Sequence, residues 1–287
     1  MKAKFTCFVF CVLLLIGCSA NNVNSSTSVD NIVDEDKVIE ASRIDPVSTV
    51  ILPNSRYNMH GFTCTGMTYD SAEDCFYVGN YGKVIPDDSI HRPSIIKLSR
   101  DMQLLDEIDF NEIESDDNNK NVQGVTFDAS DNTLWISGGS SLVNISTKGD
   151  YIRKITIDDL NYALNGVAYD EVTDTLWVLC YTECLLNLTK DGEIIKEIPC
   201  NVQDQDQLAF SEKGKLYFTA GADYCGNRNY LYSVDMDTGK ITAKYTLGKS
   251  YAVEGICFID GKLYVANDGY YHDSLIKENL INIYEID

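Results

Sequence analysis

"NGVAYDEVTDTLWVL" spans residues 165–179, and "QGVTFDASDNTLWIS" spans residues 123–137. Each opens with a polar residue, a glycine, an apolar residue, a small one and an aromatic. A short Asp-, Ser- and Thr-rich turn follows, and then an unbroken apolar run. Fifteen residues written twice in one order mark a repeated structural unit, and the fold depends on how often the unit recurs.

It recurs five times. The openings are Thr65-Gly66-Met67-Thr68-Tyr69, Gln123-Gly124-Val125-Thr126-Phe127, Asn165-Gly166-Val167-Ala168-Tyr169, Asp206-Gln207-Leu208-Ala209-Phe210 and Glu254-Gly255-Ile256-Cys257-Phe258. After the turn comes a second strand, as in Phe76-Tyr77-Val78, Leu134-Trp135-Ile136 and Leu263-Tyr264-Val265. Its continuous apolar character predicts burial on both faces. Third strands read IIKLS, LVNIS, LLNLT, LYSVD and LINIY; fourth strands read LLDEIDF, YIRKITI, IIKEIPC and ITAKYTL. Four short strands joined by tight turns make a β-propeller blade.

The fifth unit ends at Asp287 after its third strand. A candidate for the missing fourth lies before the first unit, at residues 47–52, VSTVIL. Pairing the two chain ends leaves no open blade edge. The sequence therefore predicts an all-β, five-bladed propeller closed by an N-terminal strand. Six blades are the alternative, because the first unit is longer than the others.

The chain divides into three segments. Residues 1–17 have the basic start, short apolar run and small residues of a secretory signal. The run is too short to span a bilayer. Leu15-Ile16-Gly17-Cys18 resembles a bacterial lipoprotein lipobox, which implies lipidation of Cys18 and a place in the bacterial cell envelope, outside the cytoplasm. Residues 18–45 read as the lipidated Cys and a polar tether with a reach on the order of 25–30 Å. Residues 46–287 form the propeller, about 240 residues and enough for one full core. The net charge is −21 and becomes more negative when Lys2 and Lys4 leave with the signal. That field repels phosphate backbones and excludes nucleic-acid binding. Seven cysteines follow Cys18, with no CxxC pair, so neither a complete disulfide framework nor a zinc site is indicated. Cys180 and Cys184 flank a short turn and read equally as a disulfide or as two buried thiols.

In a propeller the first strands crowd the axis, which suits the repeated glycine. The residue before it then sits at one mouth of the channel. Thr65, Gln123, Asn165, Asp206 and Glu254 differ in chemistry on an otherwise repeated scaffold, which predicts either an asymmetric recognition surface or five local backbone caps. The loops between second and third strands share this mouth. They are long in the first, fourth and fifth units and carry Asn80, Tyr81, His91, Arg92, Tyr224, Arg228, Tyr270, Tyr271 and His272. His60 enters on the same face. Long loops on a rigid scaffold are where binding concentrates. Glu254, Asn165, Asp206 and Asp268 offer hard oxygen donors that suit Ca²⁺ or a similar divalent ion. No GxSxG, HExxH, Walker or GxGxxG motif is present.

The stretches "NGVAYDEVTDTLWVL" and "EGICFIDGKLYVANDG" resemble the SMP-30/gluconolactonase and NHL-like group of propellers. In its lactonase branch a divalent metal sits at the mouth, which implies roles as ligands for Glu254, Asn165 and Asp268. That branch has six blades. "FTCTGMTYDSAEDCFYVGNYGK" resembles the first blade of plant-type glutaminyl cyclases, which have five; Thr65 stands where that family has a functional Gln. Two functions of different class follow. One is a membrane-anchored propeller lipoprotein that binds a small molecule, glycan or protein at the mouth. The other is enzymatic, a divalent-metal-dependent lactonase or esterase-type hydrolase, or a glutaminyl cyclotransferase with Glu254 as acid/base.

Overall fold

The computed structural model describes residues 39–57, 61–84, 89–90, 92–110, 121–157, 163–181, 183–200, 202–221, 228–270 and 276–286. They form five blade sheets, one per repeat, each with four antiparallel strands and one of them with an added fifth, and no α-helix occurs among the described residues. The inner strands are Cys64–Asp70, Gly124–Asp128, Leu164–Asp170, Gln205–Phe210 and Val253–Ile259. Each packs against the next, and the last packs against the first, so the ring is closed.

The repeat explains its own geometry. In blade three, Asp170 ends the inner strand, and its Oδ1 accepts from the amides of Val172 and Thr173 at 2.9 and 3.4 Å. Asp174 then turns the chain back at φ 55°, a left-handed conformation that a short polar side chain tolerates. The second strand, Thr175–Cys180, is buried along its whole length. The reason is the same in every blade: five apolar clusters fill the gaps between neighbouring sheets. Trp135 and Leu142 of blade two meet Val167 and Val178 of blade three, for example. Cys257 and Tyr264 of blade five meet Met67 and Phe76 of blade one across the closure.

That closure uses the predicted strand. Ser48–Ile51 pairs antiparallel with Leu280–Glu285, from Ser48 opposite Ile283 to Ile51 opposite Leu280. Backbone bonds from Val47 to Ile283 (2.8 Å) and from Leu52 to Asn279 (2.9 Å) extend the match over residues 47–52. Five blades are present, not six. The extra length of blade one includes a two-stranded ribbon, Lys83–Val84 with Ser89–Ile90. Three residues assigned by sequence to the tether, Ser42–Ile44, run parallel to Ile241–Leu247 as a fifth strand on blade four.

Four of the five inner strands slip register where the recognition residue lies: between Cys64 and Met67, Leu164 and Val167, Gln205 and Leu208, and Val253 and Ile256. A bulge re-aims a side chain, here close to the axis.

Candidate functional site

The inner strands approach one another so closely that a Cβ has no room on the glycine. At Gly255 it would lie 2.4 Å from the Met67 nitrogen, and at Gly66 the same distance from the Val125 nitrogen. Only blade four departs, with Gln207 in the glycine position. Its side chain reaches across the axis and donates to the Gln123 carbonyl of blade two at 2.9 Å. That carbonyl also accepts from the Gly66 amide at 2.9 Å, so blades one, two and four are tied together at one oxygen.

Beside this tie lie two acids. Asp206 and Glu254 are buried, 9 % and 6 % exposed, and their carboxyl groups are hydrogen-bonded to each other. Gln207 and Gln123 also donate to Asp206, the former at 3.0 Å. Burial pushes Asp206 up to about 6, opposed by these hydrogen bonds. Glu254 is also raised well above its usual range, first by burial and then by the negative charges of Asp206 and Asp268. Two carboxyls this close cannot both ionise cheaply, so they hold one proton between them. Cys64 is buried beside them. Burial and the charges of Asp268, Glu254 and Asp206 hold its thiol well above the usual range, which keeps it protonated and a poor nucleophile.

Of the five predicted recognition residues, three therefore meet at the axis: Gln123, Asp206 and Glu254. The other two cap backbone. The Thr65 hydroxyl donates to the Val122 carbonyl at 2.8 Å, and the Asn165 amide donates to the Gln205 carbonyl at 3.2 Å. Asp268 accepts from the Tyr270 amide at 3.0 Å and acts on Glu254 through its charge. Among the described residues, the acidic members of the four candidate metal donors do not gather within a common 4.8 Å ligand shell.

The long loops are braced from below. Asn80 donates to the Arg92 carbonyl and to the Ser94 hydroxyl, both at 3.0 Å, and accepts from the Gly82 amide at 3.1 Å. The Tyr81 amide donates to the Thr63 carbonyl at 3.0 Å. Arg92 pairs with Asp109 at 2.8 Å and lies over the Tyr57 ring. The Arg228 carbonyl lies against Gly221, where a Cβ would fall 2.2 Å from its oxygen, and so fixes the base of the blade-four loop. The Tyr270 ring covers Gly61, where a Cβ would fall 2.1 Å from the ring, so blades five and one meet at this point. His60, His91, Tyr224, Tyr271 and His272 lie outside the described residues. Cys180 and Cys184 are free thiols, hydrogen-bonded to each other.

Sequence reading missed Gln207 and Cys64. The signal for Gln207 was present: it is the one non-glycine at that position in five repeats. Cys64 carried no such mark.

The fold defines the class, a five-bladed β-propeller. No family model matches the sequence, and no curated protein matches it. Solved structures do. The glutaminyl cyclase of Myxococcus xanthus superimposes with a TM-score of 0.57 at 13% identity, covering 86% of this chain and 100% of that one. A streptogramin B lyase gives 0.47 at 14% identity over 83% and 73% of the two chains. A protein of unknown function from Bacteroides caccae gives 0.46 at 12% identity over 72% and 71%. Identities at this level speak for architecture alone.

Proposed function

We propose that this chain is a lipid-anchored envelope propeller that binds, at its mouth, a small ligand presenting a positively charged group to Asp206 and Glu254. The carrying observation is the buried carboxyl pair, whose strongest charged neighbour is a third acid, Asp268. A ligand ammonium or a divalent ion that displaces the shared proton gains two charge-assisted contacts. The anchor rests on the lipobox-like Leu15-Ile16-Gly17-Cys18.

Binding of that kind releases a proton, so affinity rises with pH through the range where the pair titrates. Calorimetry at pH 5.5 and 7.5 with Ca²⁺ and with simple primary amines tests it. At least one probe should bind more tightly at the higher pH and lose its binding in Glu254→Gln. Failure of every cation to bind, or binding unaltered by Glu254→Gln, rejects the reading.

The same pair supports a second reading. One protonated and one ionised carboxyl side by side suit proton transfer to and from a bound substrate, and the glutaminyl cyclase from Myxococcus xanthus matches over its full length. Cyclisation of a glutaminyl peptide, abolished by Glu254→Gln, would favour catalysis over simple binding. The metal-dependent hydrolase reading needs Asn165 and Asp268 to join the pair, and both already serve other partners.

A further inference from the structure

The face opposite the mouth carries the turns between first and second strands. Asp70, Asp128 and Asp170 occupy one position in blades one, two and three, and the Oδ1 atom of each caps its turn. Their second oxygens differ. Asp128 Oδ2 accepts from the Trp135 indole at 3.3 Å and lies 2.7 Å from the Lys190 ammonium. Asp170 Oδ2 accepts from the Thr173 hydroxyl at 2.8 Å. Asp70 is 0 % exposed, and its Oδ2 has no hydrogen-bond partner. A buried carboxylate oxygen left so is costly, and its presence calls for a reason.

Blade one also changes the residues around that oxygen. In blades two and three the second strand starts with Thr133 and Thr175, whose hydroxyls accept from Asn144 and Asn187 at 2.9 and 2.8 Å. Blade one has Cys75 instead, opposite Asp70 in the hairpin. Lys97 replaces the asparagine, opposite Tyr77. The Lys97 ammonium is held by Glu73 at the edge of the turn. A carboxylate oxygen from each of Asp70 and Glu73 and the sulfur of Cys75 lie within 4.8 Å of one another. One turn of the repeat has thus exchanged a closed hydrogen-bond set for two carboxyl groups and a thiol, with one carboxyl oxygen unsatisfied.

We propose that Asp70, Glu73 and Cys75 form a binding site for a borderline-soft divalent ion of the zinc class. A thiolate beside two carboxylates disfavours Ca²⁺ and Mg²⁺, which take oxygen alone, and three protein ligands leave a fourth position for water. On binding, Cys75 gives its thiol proton to solvent and Glu73 leaves Lys97. The dication and the Lys97 ammonium then balance three anionic ligands. The site is separate from the axial pair and stands whether or not that pair binds a cation.

Co²⁺ is the probe, titrated into the full chain freed of metal. A thiolate-to-cobalt absorption band in the near ultraviolet should saturate at one equivalent and disappear when Zn²⁺ is added. Cys75→Thr installs the residue that blades two and three use; it should leave the circular dichroism unchanged and remove the band. Asp70→Asn should weaken binding about tenfold or more. Glu254→Gln and the double change Cys180→Ser, Cys184→Ser should both retain the band. Absence of a band at stoichiometric Co²⁺, or a band that survives Cys75→Thr, overturns the proposal.

Discussion

Residue by residue, the axis is a place where two side chains hold what their surroundings disfavour. Glu254 and Asp206 are each raised above the ordinary carboxylate range. The folded state therefore binds protons more tightly than the unfolded chain, and the pair favours folding fully only below the unfolded values near 4. That contribution is lost as pH rises through the folded values, about 6 for Asp206 and well above the ordinary glutamate range for Glu254. Glu254→Gln removes the second charge and keeps a donor to Asp206. It should raise stability relative to the parent at pH 8 and do so much less at pH 5. Thermal melts of the two proteins across that range check this; parallel curves would remove the pair from the account. A second prediction concerns Gly255, whose Cβ position is blocked by the Met67 and Thr65 backbone. Backbone cannot step aside as a flexible side chain can. Gly255→Ala should therefore cost about 2–3 kcal/mol in denaturant melts.

Among the elements, the closing strand links the two ends of the described ring. Val50 lies opposite Ile281 and packs on the cluster shared by blades five and one. Val50→Pro removes an amide from the ladder and should cost about 3 kcal/mol, a fall of roughly 6–12 °C in the melting temperature. Retention of the parent melting temperature would mean that the ring does not depend on this pairing. Most of this architecture was legible in the sequence, because inter-blade burial writes apolar residues on both faces of each second strand. The closing strand could be read because the fifth repeat lacked its fourth. Ser42–Ile44 could not, since Ser42 and Arg43 are exposed and Ile44 alone of the three packs on the core. The direction of the axial side chains was also hidden. Thr65 and Asn165 have the right position and polarity, yet neighbouring carbonyls take up their polar groups. What makes the site is Gln207 meeting a carbonyl 84 residues away, a relation that only the closed ring creates.

For the whole molecule, the proposed anchor would act together with the charge. A net charge of −21 surrounds a mouth whose deepest groups are acids, so the long-range field and the local site both favour cations. Binding of a cationic ligand should therefore weaken as salt rises from 0.05 to 0.5 M (about three-fold shorter screening length), whereas a neutral ligand would show little change. The lipobox-like segment adds a prediction about where this field operates. One acyl chain gives marginal attachment and two give stable anchoring. A diacylated Cys18 would hold the propeller at a membrane surface on a polar tether. Cys18→Ala should move the protein from the membrane fraction to the soluble fraction and abolish incorporation of labelled palmitate, with the melting temperature of the propeller unchanged. If the protein is found with the membrane in equal amount after Cys18→Ala, its attachment arises elsewhere in the chain.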